Sequence, residues 1–280
     1  MASDPILVVG GTGKTGRQVV ARLSALGVPV RVASRTAERR FDWTDEATWG
    51  PALEDVAGVY VAAPDEAETV PAFVARAADL GVGRLVLLSA RGVDVPGYYG
   101  PDYHGAGGHL RNEEAVRASG VPWTILRPGW FAQNFSEGFF LDPVRAGEVR
   151  LAAGDGAAAF VDTGDIADVA VAALTEEGHA GEVYELSGPR ALTLAEALAE
   201  IERVSGHAAR YVAVPAEEFV KELVGQGWPQ ADAAMWTSVL APVAAGREAV
   251  VADGVRRALG REATDFTEFT RAAADVWRSA

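Results

Sequence analysis

The sequence predicts an α/β fold, a doubly wound parallel sheet with a smaller, mostly helical C-terminal region. Three observations carry that prediction. The apolar run Ile6, Leu7, Val8, Val9 is followed at once by the glycine turn GGTGKTG, Gly10 to Gly16, and then by residues at helical spacing. Short apolar runs go on alternating with helix-period segments up to about residue 134, as repeated βαβ units do. The chain has 280 residues and 49% apolar composition, enough to bury the large core that such a sheet needs on both faces.

The glycine turn is read by its spacing. Gly10, Gly13 and Gly16 lie three apart. The first can turn the chain sharply out of the strand, the second can let a pyrophosphate approach the backbone, and the third can let the helix pack close to the strand. The helix N-terminus then offers free N–H groups and partial positive charge to the phosphates. Thr12, Lys14 and Thr15 belong to the same turn, which reads as a dinucleotide-phosphate cradle. Gly13, Lys14 and Thr15 also imitate the end of a triphosphate-binding loop, but that loop needs a glycine where this chain has Val8.

The first helix runs to about Leu26, with Val19, Val20, Leu23 and Leu26 on one face, and Gly27 ends it. Val28 to Ala33 is strand two. Its tip carries Ser34 and Arg35, then Arg39 and Arg40, where a carboxylate would select the ribose 2′-hydroxyl of NAD. A guanidinium binds a 2′-phosphate instead, so NADP(H) is the expected cofactor, with Ser34 and Arg35 as anchors. A short third strand is expected next, with Asp42 and Trp43 toward the adenine end; Trp43 and Trp49 read equally well as packing anchors.

Val59 to Ala62 is strand four, and Ala63 and Pro64 at its end border the cofactor. A helix from Val70 to Leu80 leads to strand five, Arg84 to Leu88, which delivers Ser89, Ala90 and Arg91 to the same edge. Residues 92–108 form a long loop rich in Gly, Pro and Tyr, with Tyr98, Tyr99, Asp102, Tyr103 and His104, and such loops are often functional lids. A helix from His109 to Ser119 and a strand from Trp123 to Arg127 precede Pro128, Gly129, Trp130, Phe131 and Asn134. Ligands of parallel sheets bind at the carboxyl ends of the strands, where these segments converge.

The second half is less regular. Glu148 to Leu151 and Ala158 to Val161 read as short strands, and Thr163 or Asp165 as the cap of a helix through Leu174. Val183 to Leu186 is a further strand, Thr193 caps another helix, Tyr211 to Val214 is strand-like, and the remainder is mostly helical. Phe219, Leu223, Trp228, Met235, Trp236 and Leu240 supply apolar mass for a cap over the site or for ordinary core. The expected division is a dinucleotide-binding core over 1–134. A mixed region over 135–280 completes the sheet at about 158–188 and adds the helical cap.

The net charge of −14 opposes docking on a phosphate backbone, so nucleic acid is not an expected partner. The absence of cysteine removes disulfides, thiolate metal sites and a cysteine nucleophile, and no metal site is expected. No apolar run approaches bilayer length and strand one begins within a few residues of Met1, so a cytoplasmic protein without membrane contact is expected. A homo-oligomer is compatible with the sequence.

The chain resembles the NmrA-like, atypical short-chain dehydrogenase/reductase family, a group that includes quinone and triphenylmethane-dye reductases, ergot-alkaloid-type reductases and a transcriptional regulator. The resemblance lies in GGTGKTG, in VASR at Val32 to Arg35, in FDWTDEATW at Phe41 to Trp49 and in VLLSA at Val86 to Ala90. It continues in His109 with Glu113, in SGVPWTILRPGWFAQNF at Ser119 to Phe135 and in FVDTGDIADVA at Phe160 to Ala170. It implies a Rossmann fold that binds NADP(H). Typical short-chain reductases also carry a Tyr followed four residues later by a Lys. Here the register puts Gly105 at the Tyr position and His109 at the Lys position, so the dyad is absent.

The expected chemistry is therefore NADPH-dependent reduction of a small, largely apolar, conjugated, quinone-like or iminium-type substrate, an acceptor polarised enough to do without the dyad. His109, Tyr103 and Tyr99 are the candidate acids, histidine being the one that titrates near neutrality. Trp130 and Asn134 are candidate substrate contacts, with Ser89 and Pro128 beside the cofactor. Two alternatives remain open: an NADP(H)-binding regulator or redox sensor acting through a protein partner, and an isomerase or dehydratase of a biosynthetic intermediate.

Overall fold

A computed structural model describes residues 4–37, 39–64 and 67–278. Strands β1 (Ile6–Val9), β2 (Val30–Ala33), β3 (Gly58–Val61), β4 (Leu85–Leu88) and β5 (Trp123–Pro128) come from the first half. The second half supplies β6 (Glu148–Leu151), β7 (Ala157–Ala158), β8 (Glu182–Leu186), β9 (Leu192–Thr193) and β10 (Arg210–Ala213). Helices α1 (Gly16–Ala25), α2 (Trp49–Leu53), α3 (Val70–Asp79) and α4 (Gly105–Ala118) connect the early strands. They are followed by α5 (Asn134–Glu137), α6 (Leu141–Arg145), α7 (Thr163–Thr175), α8 (Leu194–Ser205), α9 (Ala216–Gly225), α10 (Gln230–Ala244), α11 (Gly254–Leu259) and α12 (Phe266–Arg278).

Six strands form one sheet in the order β2-β1-β3-β4-β5-β8, and every neighbouring pair is parallel. The apolar runs are continuous rather than alternating because both faces are covered. Leu7, Val9, Val59, Val61, Leu85 and Leu87 face a core built with α2 and α3. Ile6, Val8, Tyr60, Val86 and Leu126 face the other side, against α1 and α7. A third core gathers Phe135, Phe140, Phe160, Phe266, Phe269 and Trp277 among the C-terminal elements.

The register positions the site. Val9 is level with Ala33 on one side and with Val61 on the other, so Gly10, Ser34 and Ala62 leave the sheet side by side. Farther along, Ser89 N–H donates to Leu126 O at 2.8 Å and Gly129 N–H to Leu186 O at 2.9 Å, which aligns the ends of β4, β5 and β8.

The expected short strand before Asp42 and Trp43 does not form: among the described residues no strand lies between β2 and β3. Asp42 N–H donates to Thr48 Oγ1 at 3.0 Å, Thr44 N–H to Asp42 Oδ1 at 3.0 Å, and the Trp49 indole to Asp42 O at 2.9 Å. These local bonds take the backbone groups a ladder would need. Phe41, Trp43, Trp49 and Phe73 meet there edge to face, and Trp49 is buried, which makes it a packing anchor.

Helix α4 begins at Gly105, four residues before His109, so the glycines preceding His109 are helical. Only Ala157–Ala158 and an isolated bridge at Val161 form where a continuous Ala158 to Val161 strand was expected. Helix α7 is capped by Asp162, whose side chain accepts from Gly164 N–H at 2.6 Å. Asp165 is buried instead against Thr264 and Arg261. Thr193 does cap α8, in a reciprocal box with Glu196. Among the described residues no helix is long and apolar enough to cross a membrane.

Candidate active site

Two cavities adjoin at the carboxyl edge of the sheet, and Ala63 borders both. The first, of about 660 Å³, lies over the glycine turn between β1, β2 and β3. Gly10 has φ +78°, and a β-carbon there would stand 2.6 Å from Ala62 O, so only glycine lets the chain turn this close to β3. A β-carbon on Gly16 would stand 2.2 Å from Gly10 O, the close helix approach that the spacing predicts. The Thr15 hydroxyl accepts from Tyr60 Oη at 2.9 Å, and no side chain caps the first turn of α1. A glycine turn on the wall of this cavity, leading into a helix start without a side-chain cap, fits a dinucleotide pyrophosphate.

Gly10, Thr12, Gly13, Thr15, Ser34, Arg35, Asp42, Ala63 and Pro64 all line this cavity. Of the three nearby arginines, Arg35 alone is on its wall. Arg39 is paired with Glu54 at 3.1 Å, and Arg40 with Asp42 at 3.0 Å. The Asp42 carboxyl is held below its ordinary range by the N–H and hydroxyl of Thr44, with help from Arg40. Trp43 contributes to this wall while packing on Phe41 and Phe73.

The second cavity, of about 360 Å³, is mostly aromatic and apolar. It brings together Ser89, Tyr99, Tyr103, His109, Pro128, Trp130 and Asn134 from four separate segments. Lys14 departs from the expected cradle and turns into this cavity. Its Nζ donates to Asn134 Oδ1 at 2.7 Å and lies 5.8 Å from the Phe139 ring centroid. Burial lowers the Lys14 pKa, Glu137 opposes that shift, and Arg17 adds to it.

The tyrosine loop is tied down rather than loose. Tyr99 Oη donates to Arg91 O at 2.7 Å, Tyr98 Oη to Glu248 Oε1 at 2.8 Å, and Gly100 N–H to Ser238 O at 2.9 Å. Behind Ser89 lies a buried ionic cluster. Ser89 Oγ donates to Glu113 Oε1 at 2.6 Å, and Arg127 grips the same carboxylate through Nε at 2.9 Å and Nη2 at 2.7 Å. Burial alone would raise the Glu113 pKa, but the hydrogen bonds from Arg127 and Ser89 outweigh it and hold it low.

Sequence reasoning missed Glu248, Phe139 and Val239 on the wall of this cavity, and had Trp236 only as part of a general apolar stripe. Phe219, Leu223 and Leu240 of that stripe are core, Trp228 is partly exposed at 38%, and Met235 lines a separate cleft. Glu248 follows no motif spacing; the tertiary fold alone brings it here. Among the described residues no cluster of His, Asp or Glu could hold a metal ion.

The parallel sheet, the glycine turn and the cavity outside the strand ends define a dinucleotide-binding protein of the Rossmann type. A family model described as NAD(P)H-binding matches residues 10–177, and the chain belongs to that family, as the NmrA-like resemblance implies. It is 32% identical to an NAD(P)H azoreductase of Xenophilus azovorans, over 98% of this chain and 100% of the relative. It is 34% identical to agroclavine dehydrogenase of Claviceps fusiformis, over 97% and 98%. Its fold matches an NADPH-dependent quinone oxidoreductase of Escherichia coli with a TM-score of 0.76 and 26% identity, over 95% of this chain and 98% of that one.

Proposed function

We propose that the protein is an NADPH-dependent reductase of a small, largely apolar, conjugated, quinone-like or iminium-type compound, working by direct hydride transfer without a Tyr/Lys dyad. The observation that carries this reading is the junction at Ala63, which joins a glycine-turn cavity with Arg35 on its wall to an aromatic cavity holding Lys14, His109, Tyr99 and Tyr103. The names of the relatives, an azoreductase, an agroclavine dehydrogenase and a quinone oxidoreductase, support a reductase.

In this reading residues 1–134 form the cofactor-binding core, and 135–280 complete the sheet through β8 and wall the acceptor side through Phe139, Trp236 and Glu248. Gly10, Thr12, Gly13 and the amides of α1 hold the pyrophosphate. Ser34 and Arg35 hold the 2′-phosphate, with Asp42 near the adenine. Ala63, Pro64, Ser89 and Pro128 frame the nicotinamide, which supplies the hydride when bound. Trp130 and the aromatic walls exclude water and stack a flat acceptor, and Asn134 fixes the Lys14 ammonium beside it.

The test is NADPH consumption with a panel of quinones, azo compounds, conjugated carbonyls and iminium or carbocation dyes at saturating cofactor. Consumption with at least one class is expected. Saturable binding with no consumption by any acceptor would replace this reading with a regulator or sensor. Product formed without net NADPH loss would replace it with an isomerase or dehydratase.

A further inference from the structure

The second cavity ends on a carboxyl group that the other groups leave incompletely paired. Glu248 is 2% exposed and belongs to the wall of the cavity. Tyr98 Oη donates to its Oε1 at 2.8 Å, while its Oε2 has no hydrogen-bond partner. The nearest cation, Arg91 Nη1, is 3.7 Å from Oε2, beyond hydrogen-bond reach, and that same nitrogen already donates to Val250 O at 2.9 Å. Arg91 also serves Glu185, Nε to Oε2, at 3.4 Å.

The surrounding cluster makes Glu248 the odd member. Arg127 pairs with Glu113 at 2.7 Å and with Asp94 at 2.5 Å, and lies 3.7 Å from Glu185; Arg117 adds a 2.9 Å contact to Glu113. Arg91, Arg117 and Arg127 face four carboxyl groups among the described residues; Asp94 and Glu185 keep part of their surface in solvent, while Glu113 and Glu248 are buried. Glu113, Asp94 and Glu185 each have a guanidinium closer than Glu248 does. A buried carboxylate held by one hydrogen bond and one 3.7 Å ion pair is costly, and the cost is removed most simply by a proton. Since Tyr98 donates to Oε1, that proton belongs on Oε2.

We propose that Glu248 is the proton source of this cavity, delivering the proton on Oε2 to the oxygen of a neutral conjugated carbonyl or quinone acceptor. This rests on the reductase reading above. Gly129 lines the cavity beside the acid: a β-carbon there would stand 3.0 Å from Oε2 and 3.5 Å from Arg91 Nη1, so the space its missing side chain leaves borders the buried Oε2. As a hydride from the reduced nicotinamide dinucleotide forms a C–H bond, the acceptor's π pair moves to its oxygen, which takes the Glu248 proton to form O–H. The dinucleotide is left oxidised and Glu248 as carboxylate, which regains a proton from solvent. A cationic acceptor is neutralised by hydride alone and needs no proton.

The charge environment agrees with this role. Burial raises the Glu248 pKa and Glu185 adds to the rise, while Arg91 and the Tyr98 hydrogen bond oppose it. The groups facing Glu248 are Tyr98 and Arg91 from the segment after β4 and Glu185 of β8. Across the cavity lie Tyr99, Tyr103, His109 of α4 and Lys14, and α10 presents only Trp236 and Val239.

The experiment compares the wild type with Glu248→Gln and Gly129→Ala, each loaded with NADPH, using 1,4-naphthoquinone as the neutral acceptor and a triarylmethyl dye as the cationic one. The infrared band of a protonated carboxyl is followed against pH in the same three proteins. The wild type is expected to show that band at neutral pH and Glu248→Gln to lack it, with the wild-type rate on the quinone falling as pH rises through the same titration. The quinone rate in Glu248→Gln should drop by about a hundred-fold more than the dye rate, the scale of a lost general acid. Gly129→Ala should keep the band and lose quinone rate selectively.

Equal losses on both acceptors, or no band lost in Glu248→Gln, would overturn the proposal. A wild type that reduces neither acceptor would fail the reductase reading, while the infrared band would still decide whether Glu248 holds a proton.

Discussion

Tyr103 lies over Gly105 so closely that a β-carbon on Gly105 would stand 2.5 Å from the Tyr103 ring and from its hydroxyl oxygen. Gly105 is the first residue of α4 and His109 follows one turn later, so the tyrosine ring occupies the space that a side chain at the usual Tyr position would need. A tyrosine from the loop is thus folded over this helix start, on the wall of the same cavity as His109.

Gly105→Ala should expel that ring. Alanine favours a helix over glycine by about 1 kcal/mol, so the helix itself does not suffer. The expected outcome is near-unchanged thermal stability with a several-fold change in KM or kcat for the acceptor, while Tyr103→Phe keeps the ring in place and KM near wild type. Unaltered acceptor kinetics in Gly105→Ala would show that the Tyr103 ring does not shape the site.

Glu113 anchors the cluster behind Ser89. Glu113→Ala leaves Arg127 and Arg117 facing an empty site and should cost about 3–5 kcal/mol in urea denaturation, the usual penalty for breaking a buried pair. The sign of its pH dependence is fixed by its depressed pKa. Its stabilisation is complete above the unfolded value of about 4.3 and is lost as pH falls through the folded value. Stability curves of wild type and variant should therefore converge in acid; parallel curves down to low pH would contradict this.

Lys14 holds its charge only below a pKa that burial has lowered from the ordinary 10.5. As pH rises through that value the ammonium is neutralised, and turnover of acceptors that develop negative charge beside it should decline. Lys14→Met should reduce kcat/KM for such acceptors about ten-fold, the worth of one charged hydrogen bond, and should remove the part of the alkaline decline that follows the Lys14 ammonium, leaving the part that follows Glu248. An alkaline decline of the same size in Lys14→Met would assign it to another group.

What was legible in the sequence is what is decided locally. The β1–turn–α1 unit follows from Gly10 and Gly16, whose positions no other residue could occupy without meeting Ala62 O or Gly10 O. The convergence of Ser89, the tyrosine loop and Pro128 to Asn134 follows from strand direction alone. The expected third strand failed because Asp42 and Thr48 supply backbone partners of their own. The early start of α4 was hidden by the low helix propensity of Gly105, Gly107 and Gly108. Lys14 turned toward Asn134 across more than a hundred residues of sequence, and Glu248 arrives from a short turn after α10; neither contact has a local signature.

Titrating the protein with NADPH and with NADH while following tryptophan fluorescence, beside Arg35→Ala, examines both the glycine cradle and the 2′-phosphate anchor at Arg35. NADPH should bind more tightly than NADH, and Arg35→Ala should lose that preference by about 2 kcal/mol or roughly thirty-fold, with NADH affinity unmoved. Equal affinity for both dinucleotides in wild type and variant would contradict the anchor, and no binding of either would contradict the cradle itself.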